Sequence, residues 1–289
     1  MASPPPVFAI IVGIDKYDAS DNLGTLRGAV SDAESFRTYL TDSRSLGGLA
    51  VPHSHILFLA NENATRSAIL GAFDSHFLDN LDIPEHEDAA MIFYFAGHGS
   101  RVASPGNVLP VDGRVEVICP VDERTVGADG QYVHGIPDYL LGRVFREISR
   151  KKGPNITVIL DSCHSGGMGR VEDVQRVART ASLPIPLDLD GHRWSDDSES
   201  TTTDYNVWTP ADSHVLLAAC TQNGIAYETP SEPFHGQFTN ALISALRSTS
   251  LASTTYAELL ARLPPMVEQT PHCGGANKDC ALFTTSYSV

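Results

Sequence analysis

Residues 89–100 read AAMIFYFAGHGS, and residues 155–167 read NITVILDSCHSGG. In each, an almost continuous apolar run stops at a glycine-bearing turn that carries one reactive side chain, His98 in the first and Cys163 in the second. Runs that are apolar on both faces mark strands covered on both sides, as in a parallel sheet. Working outward, VFAIIVGI at 7–14, HILFLA at 55–60 and HVLLAAC at 214–220 have the same character, and CALFTTS at 280–286 is expected as a last strand. Helical spacings separate them. Ala33, Phe36 and Leu40 follow Ser31 or Asp32 as cap, and Ile69, Phe73 and Phe77 follow Thr65 as cap. Further helices are expected over 137–148, 238–246 and 256–263. VEVICPVDE falls in a polar, Gly/Pro-bearing excursion. Strands alternating with amphipathic helices predict an α/β fold of βαβ units around a mostly parallel sheet.

The chain has 289 residues, 42% of them hydrophobic, which is enough for a sizeable core. Thirty-five acidic residues against twenty basic ones give a formal charge of -15. That balance speaks against phosphate-driven binding to nucleic acid and against an anionic membrane surface, and it favours basic peptides. No apolar run reaches the length of a membrane span, and the start lacks the basic region of a signal peptide. Five cysteines in a chain of this length do not form a disulfide framework, so a reducing cytoplasm, with nuclear access open, is the expected compartment.

Open α/β sheets build their sites on the loops at the carboxyl ends of the strands. If the strands before His98 and Cys163 are neighbours, the two side chains can meet above the sheet. An imidazole beside a thiol raises its readiness to attack a carbonyl, and the same ring can protonate the departing amine. The backbone N–H groups of Gly99 and Cys163 are candidate donors to the oxyanion. Either residue alone would more readily be structural, and His164 is a rival base; the two motifs together favour the His98–Cys163 dyad.

At these residues the sequence resembles the caspase-like peptidases and, among them, the metacaspases. The segments that carry the likeness are Ala96 to Ser100, Asp161 to Gly166 (DSCHSG), VGIDKY near the start, LRGAVSDA at Leu26 to Ala33, and ICPVD at Ile118 to Asp122. The resemblance implies a caspase-like (caspase-hemoglobinase) three-layer α/β/α sandwich with one domain over 1–289. A large-subunit-like part would occupy 1–167, a linker 168–210 and a small-subunit-like part 211–289. It also implies a cysteine endopeptidase that cleaves after Arg or Lys, with Asp32 and Asp161 in an acidic pocket that Ala96 lines. Two carboxylates suit a guanidinium and would repel an aspartate side chain. Ala29 and Ala96 stand where the family often has cysteine and serine. The competing reading is a catalytically weak caspase-like protein that binds or regulates partners.

The chemistry requires no cofactor. Calcium is a conceivable activator through Asp112, Glu116 and Asp138, although Arg170 falls where the family has an acid, and a cation opposes a calcium shell. The linker's Arg176 and Arg179 are candidate processing sites. The expected partners are basic peptide or protein substrates, with no nucleic acid and no membrane, and the expected state is a monomer. The short stretch before Val7 reads as a form without a separate leading domain.

Overall fold

The computed structural model describes residues 5–19, 23–86, 89–103, 114–128, 130, 132–163, 180–181, 212–221 and 224–285. Five strands run parallel: β1 (Val7–Gly13), β2 (Ile56–Ala60), β3 (Ala90–Ala96), β7 (Ile156–Asp161) and β9 (Val215–Ala218). Their order, β9-β7-β3-β1-β2, is extended at the β9 edge by the antiparallel β10 (His272–Gly274). Every residue of β3 and β7 is buried, which is why both read as unbroken apolar runs. They are neighbours, paired from Met91↔Ile156 to Ala96↔Asp161, so their turns leave the sheet side by side.

Two cores flank this sheet. One holds Phe8, Ile10, Phe93, Phe95 and Val158 against α2 (Arg66–Ala72), the π-helical turn Phe73–Leu78 and α3 (Asp138–Lys152). The other packs Ile11, Ile92, Tyr94 and Leu217 against α1 (Ala29–Thr41), α4 (Gln237–Arg247) and α5 (Tyr256–Ala261). Successive strand side chains alternate between the two, so one apolar strand serves both layers. The architecture is the three-layer α/β/α sandwich expected from the sequence.

Several local readings are corrected. The Asp15 carboxylate at the end of β1 accepts the Ala29 N–H (2.8 Å) and takes the cap role, while Asp32 lies inside the first turn of α1. Thr65 does cap α2, accepting the Ala68 N–H. The last strand of the large sheet is β10, and the described residues 280–285 form no strand, with Ala281 in an isolated bridge to Thr255. A second sheet, ordered β6-β5-β4-β8, takes β4 (Gly99–Ala103), β5 (Arg114–Ile118) and β6 (Ile136–Pro137) from the polar excursion and β8 (Thr180–Ala181) from the expected linker. These strands are too short to produce a clear alternation.

Gly13 fixes the distance between β1 and α1. A Cβ there would stand 2.6 Å from the Ala33 Cβ and 2.9 Å from the Ala29 carbonyl oxygen, so the helix would have to retreat from the sheet. Gly13→Val is expected to lower unfolding free energy by about 1–3 kcal/mol in a urea titration. A variant as stable as the parent would show that this approach is not a constraint.

Candidate active site

His98 is fixed on several sides. Its backbone N–H donates to the Tyr17 hydroxyl at 2.7 Å, the Tyr17 ring lies 5.0 Å from the imidazole, and its carbonyl accepts the Cys119 N–H at 2.9 Å. Gly97 allows this, since a Cβ there would meet the Tyr17 hydroxyl and the Phe95 ring at 2.9 Å. Nε2 is 2.6 Å from the Gly24 carbonyl oxygen. A carbonyl can only accept, so Nε2 carries the proton and Nδ1 is the nitrogen able to take one. Gly24 therefore orients the candidate base. A backbone carbonyl leaves no mark in a sequence, and neither it nor Tyr17 was anticipated.

Cys163 follows β7 by two residues and is fully buried. Its Sγ donates to the Ala226 carbonyl at 3.1 Å and accepts the Ala226 N–H at 2.9 Å. The backbone of Ala226 thus covers the thiol, and His98 is itself only 3% exposed. His164 lies outside the described residues.

The two predicted pocket acids come together at one helix end. Asp32 accepts the Gly236 N–H on Oδ2 (2.7 Å), and the His235 Nδ1 lies 3.0 Å from its Oδ1. Asp161 accepts the Thr239 N–H (3.2 Å) and hydroxyl (2.7 Å) on Oδ2. Because the Thr239 proton goes to the carboxylate, the Tyr94 hydroxyl donates to Thr239 at 2.6 Å. Gly236 is the N-cap of α4 and Thr239 lies in its first turn, so both carboxylates sit in the positive end of that helix. Glu228, a third buried acid that sequence reading missed, accepts the Gly28 N–H at 2.8 Å and the Arg27 N–H at 3.1 Å. Gly28 must be glycine, since a Cβ would stand 2.9 Å from the backbone of Phe234 and His235. The buried Ala29 and Ala96 belong to the same core cluster as Cys163.

Of the proposed calcium ligands, Glu116 faces the Arg101 guanidinium at 3.8 Å and Asp138 accepts the N–H of Tyr139. Among the described residues no group of three His, Cys, Asp or Glu side chains could hold a metal ion. Asp112, Arg170, Arg176 and Arg179 lie outside those residues. Glu116 and Asp138 each stand one position beyond the Val117↔Pro137 pair of β5 and β6, and no step is derived through calcium.

The caspase domain family (Peptidase C14) matches residues 7–285. The chain belongs to that family. Metacaspase-1A of Aspergillus oryzae is 27% identical over 164 residues, covering 55% of this chain and 34% of the relative. Metacaspase-1A of Aspergillus fumigatus is 30% identical over 162 residues, 55% of this chain and 34% of the relative. Metacaspase-1 of Ajellomyces capsulatus is 30% identical over 162 residues, covering 40% of that protein. The chain thus spans about a third of the length of these curated relatives. In structure it is similar to protein GSU0716 from Geobacter sulfurreducens, with a TM-score of 0.59, 18% identity and 94% of each chain covered. That likeness concerns the fold. No helix among the described residues is long and apolar enough to cross a membrane.

Behind the caspase-domain histidine lies an ionisable group that shapes pH stability. Glu123 is fully buried beside Cys119, whose N–H holds the His98 carbonyl. Burial pushes its carboxyl from 4.5 up to about 7, against the pull of the Cys119 thiol and the Arg124 guanidinium; Asp122 pushes it further up. Below pH 4.5 the acid is protonated in both states and costs nothing. Between 4.5 and 7 only the unfolded chain ionises, so stability falls, and above 7 the loss is complete. Glu123→Gln is therefore expected to gain about 3 kcal/mol at pH 8, fading to nothing by about pH 4. Denaturant titrations at both pH values check this, and a pH-independent difference would contradict it.

Proposed function

We propose that the chain is a cysteine endopeptidase that cleaves peptide bonds after arginine or lysine. The observation that carries this reading is the placement of His98 and Cys163 at the ends of paired neighbouring strands, in a caspase-domain chain whose site holds Asp32 and Asp161 buried at one helix terminus. In the proposed cycle His98 Nδ1 takes the Cys163 proton, and the thiolate attacks the scissile carbonyl. The N–H groups of Gly99 and Cys163 hold the oxyanion. The imidazolium then protonates the amine as it leaves, and water, deprotonated by the same ring, hydrolyses the thioester. Nucleophile, base and oxyanion donors are all protein groups, so the chemistry calls for no cofactor.

The acids set the specificity in this proposal. A guanidinium entering near Asp32 and Asp161 exchanges water for two carboxylates already ordered by Gly236 and Thr239, so little reorganisation is needed. Glu228 holds the Arg27–Gly28 wall of the same region. Processing after Arg176 or Arg179 and activation by calcium belong to this proposal as further expectations. The second reading, a regulatory caspase-like protein that does not turn over peptide, draws on the Ala226 cover over the Cys163 sulfur.

Matched fluorogenic peptides ending in Arg, Lys or Asp, assayed with calcium and with chelator, test the proposal. Release after Arg and Lys is expected, with Cys163→Ala reducing turnover by at least about a thousand-fold. Asp32→Asn is expected to lower kcat/KM for the basic peptides by roughly a hundred-fold. Folded protein that cleaves nothing in any arm would favour the regulatory reading. Activity retained in Cys163→Ala would reject the dyad.

A further inference from the structure

At the end of the sheet opposite His98 and Cys163 lies a cleft of about 810 Å³. It opens beside Val7, the first residue of β1, between the segment 44–52 that follows α1 and the carboxyl end of α4. Its walls are apolar for the most part, with Val51, Leu246, Leu251 and Phe283 among them. That size and lining are those of a small-molecule site, which adds a few placed polar groups to an apolar body.

The polar groups here gather at one pole. Tyr39 is fully buried, and among the described residues its hydroxyl has no hydrogen-bond partner. A buried hydroxyl left in this way is a cost to the fold that only an acceptor can recover. Two guanidinium groups act on that hydroxyl electrostatically. Arg247 is fixed by Asp42 Oδ2 at 2.7 Å and by the Leu46 carbonyl at 3.0 Å, and lies 5.7 Å from the ring centroid. Arg44 also lines the cleft and is exposed, with no ion-pair or hydrogen-bond partner for its side chain among the described residues. Burial pushes the Tyr39 phenol above its ordinary value while Arg247 and Arg44 pull it down, so the neutral hydroxyl is kept as a donor. In a chain of formal charge -15, this is a pole of positive charge joined to a hydroxyl donor at the head of an apolar cavity.

We propose that this cleft binds a small amphiphilic carboxylate, with the carboxylate on Tyr39 Oη and the Arg44 guanidinium and the apolar body along Leu246, Leu251 and Phe283. The planar fork of Arg44 matches a carboxylate, and the phenol supplies a further donor to the same group. A cationic amphiphile would meet two guanidinium groups, and a neutral one would leave Arg44 without a counter-charge. The site lies away from the candidate catalytic turns, so its test does not depend on peptide turnover.

The test is calorimetric titration of the full chain with sodium decanoate, decanol and decyltrimethylammonium, each kept below its micellar concentration. Decanoate is expected to bind, decanol at least about ten-fold more weakly, and the cation not at all. Arg44→Ala, an exposed change that leaves the core intact, is expected to weaken decanoate about ten-fold, as is Tyr39→Phe. Tyr39→Phe should melt no lower than the parent, because it removes a buried hydroxyl that nothing satisfies. Leu251→Trp, which fills the cleft, is expected to abolish binding. No binding of decanoate, equal affinity for decanol, or unchanged affinity in Arg44→Ala and Tyr39→Phe would each overturn the proposal.

Discussion

The first turn of α4 is the constraint on which the candidate site depends. It binds one carboxylate from α1, Asp32, and one from the end of β7, Asp161. A helix delivered by the last third of the chain thus ties together two elements that come from the earlier parts. Because Asp161 precedes Cys163 by two residues, the same clamp fixes the turn that carries the thiol. Tyr94 completes it from beneath: its hydroxyl supports Thr239, and its ring stacks on Phe36 of α1 at 4.6 Å. The charge that would select a basic substrate is also what locks the layers together.

That economy has a consequence for access. Carboxylates held by Gly236 and Thr239 are ordered before any substrate arrives, but they are also buried, Asp32 in part under His235. The thiol is covered too, by the backbone of Ala226. Ala226, Glu228 and His235 lie on one stretch of chain between β9 and α4, so the contacts to the sulfur, to Gly28 and to Asp32 all come from one segment. Among the described residues, the thiol and one pocket acid of this caspase-domain chain are thus covered from the same stretch.

The sequence revealed most where burial was complete on both sides. AAMIFYFA and NITVILD could be read as central strands because no polar residue interrupts them, and their abrupt ends pointed to His98 and Cys163. Asp32 and Asp161 were reached only through family likeness, since an acid at a strand or helix end is ordinarily a local hydrogen-bond acceptor. The cap of α1 comes from Asp15, a contact from outside the helix that no residue beside its start reveals. Gly24 and Ala226 act through backbone atoms, which no residue type advertises. Glu228 sits in an otherwise unremarkable AYETP turn, and only the folded approach to Gly28 gives it a role.

The central claim is that the Cys163 sulfur is the nucleophile of a site that accepts a basic side chain. Covalent labelling with peptidyl chloromethyl ketones, followed by peptide mapping, tests it most directly. The account predicts a single adduct on Cys163 with arginyl and lysyl reagents, none with the aspartyl reagent, and protection of Cys119, Cys220, Cys273 and Cys280. An adduct on another cysteine, or equal labelling of Cys163 by the aspartyl reagent, would contradict it.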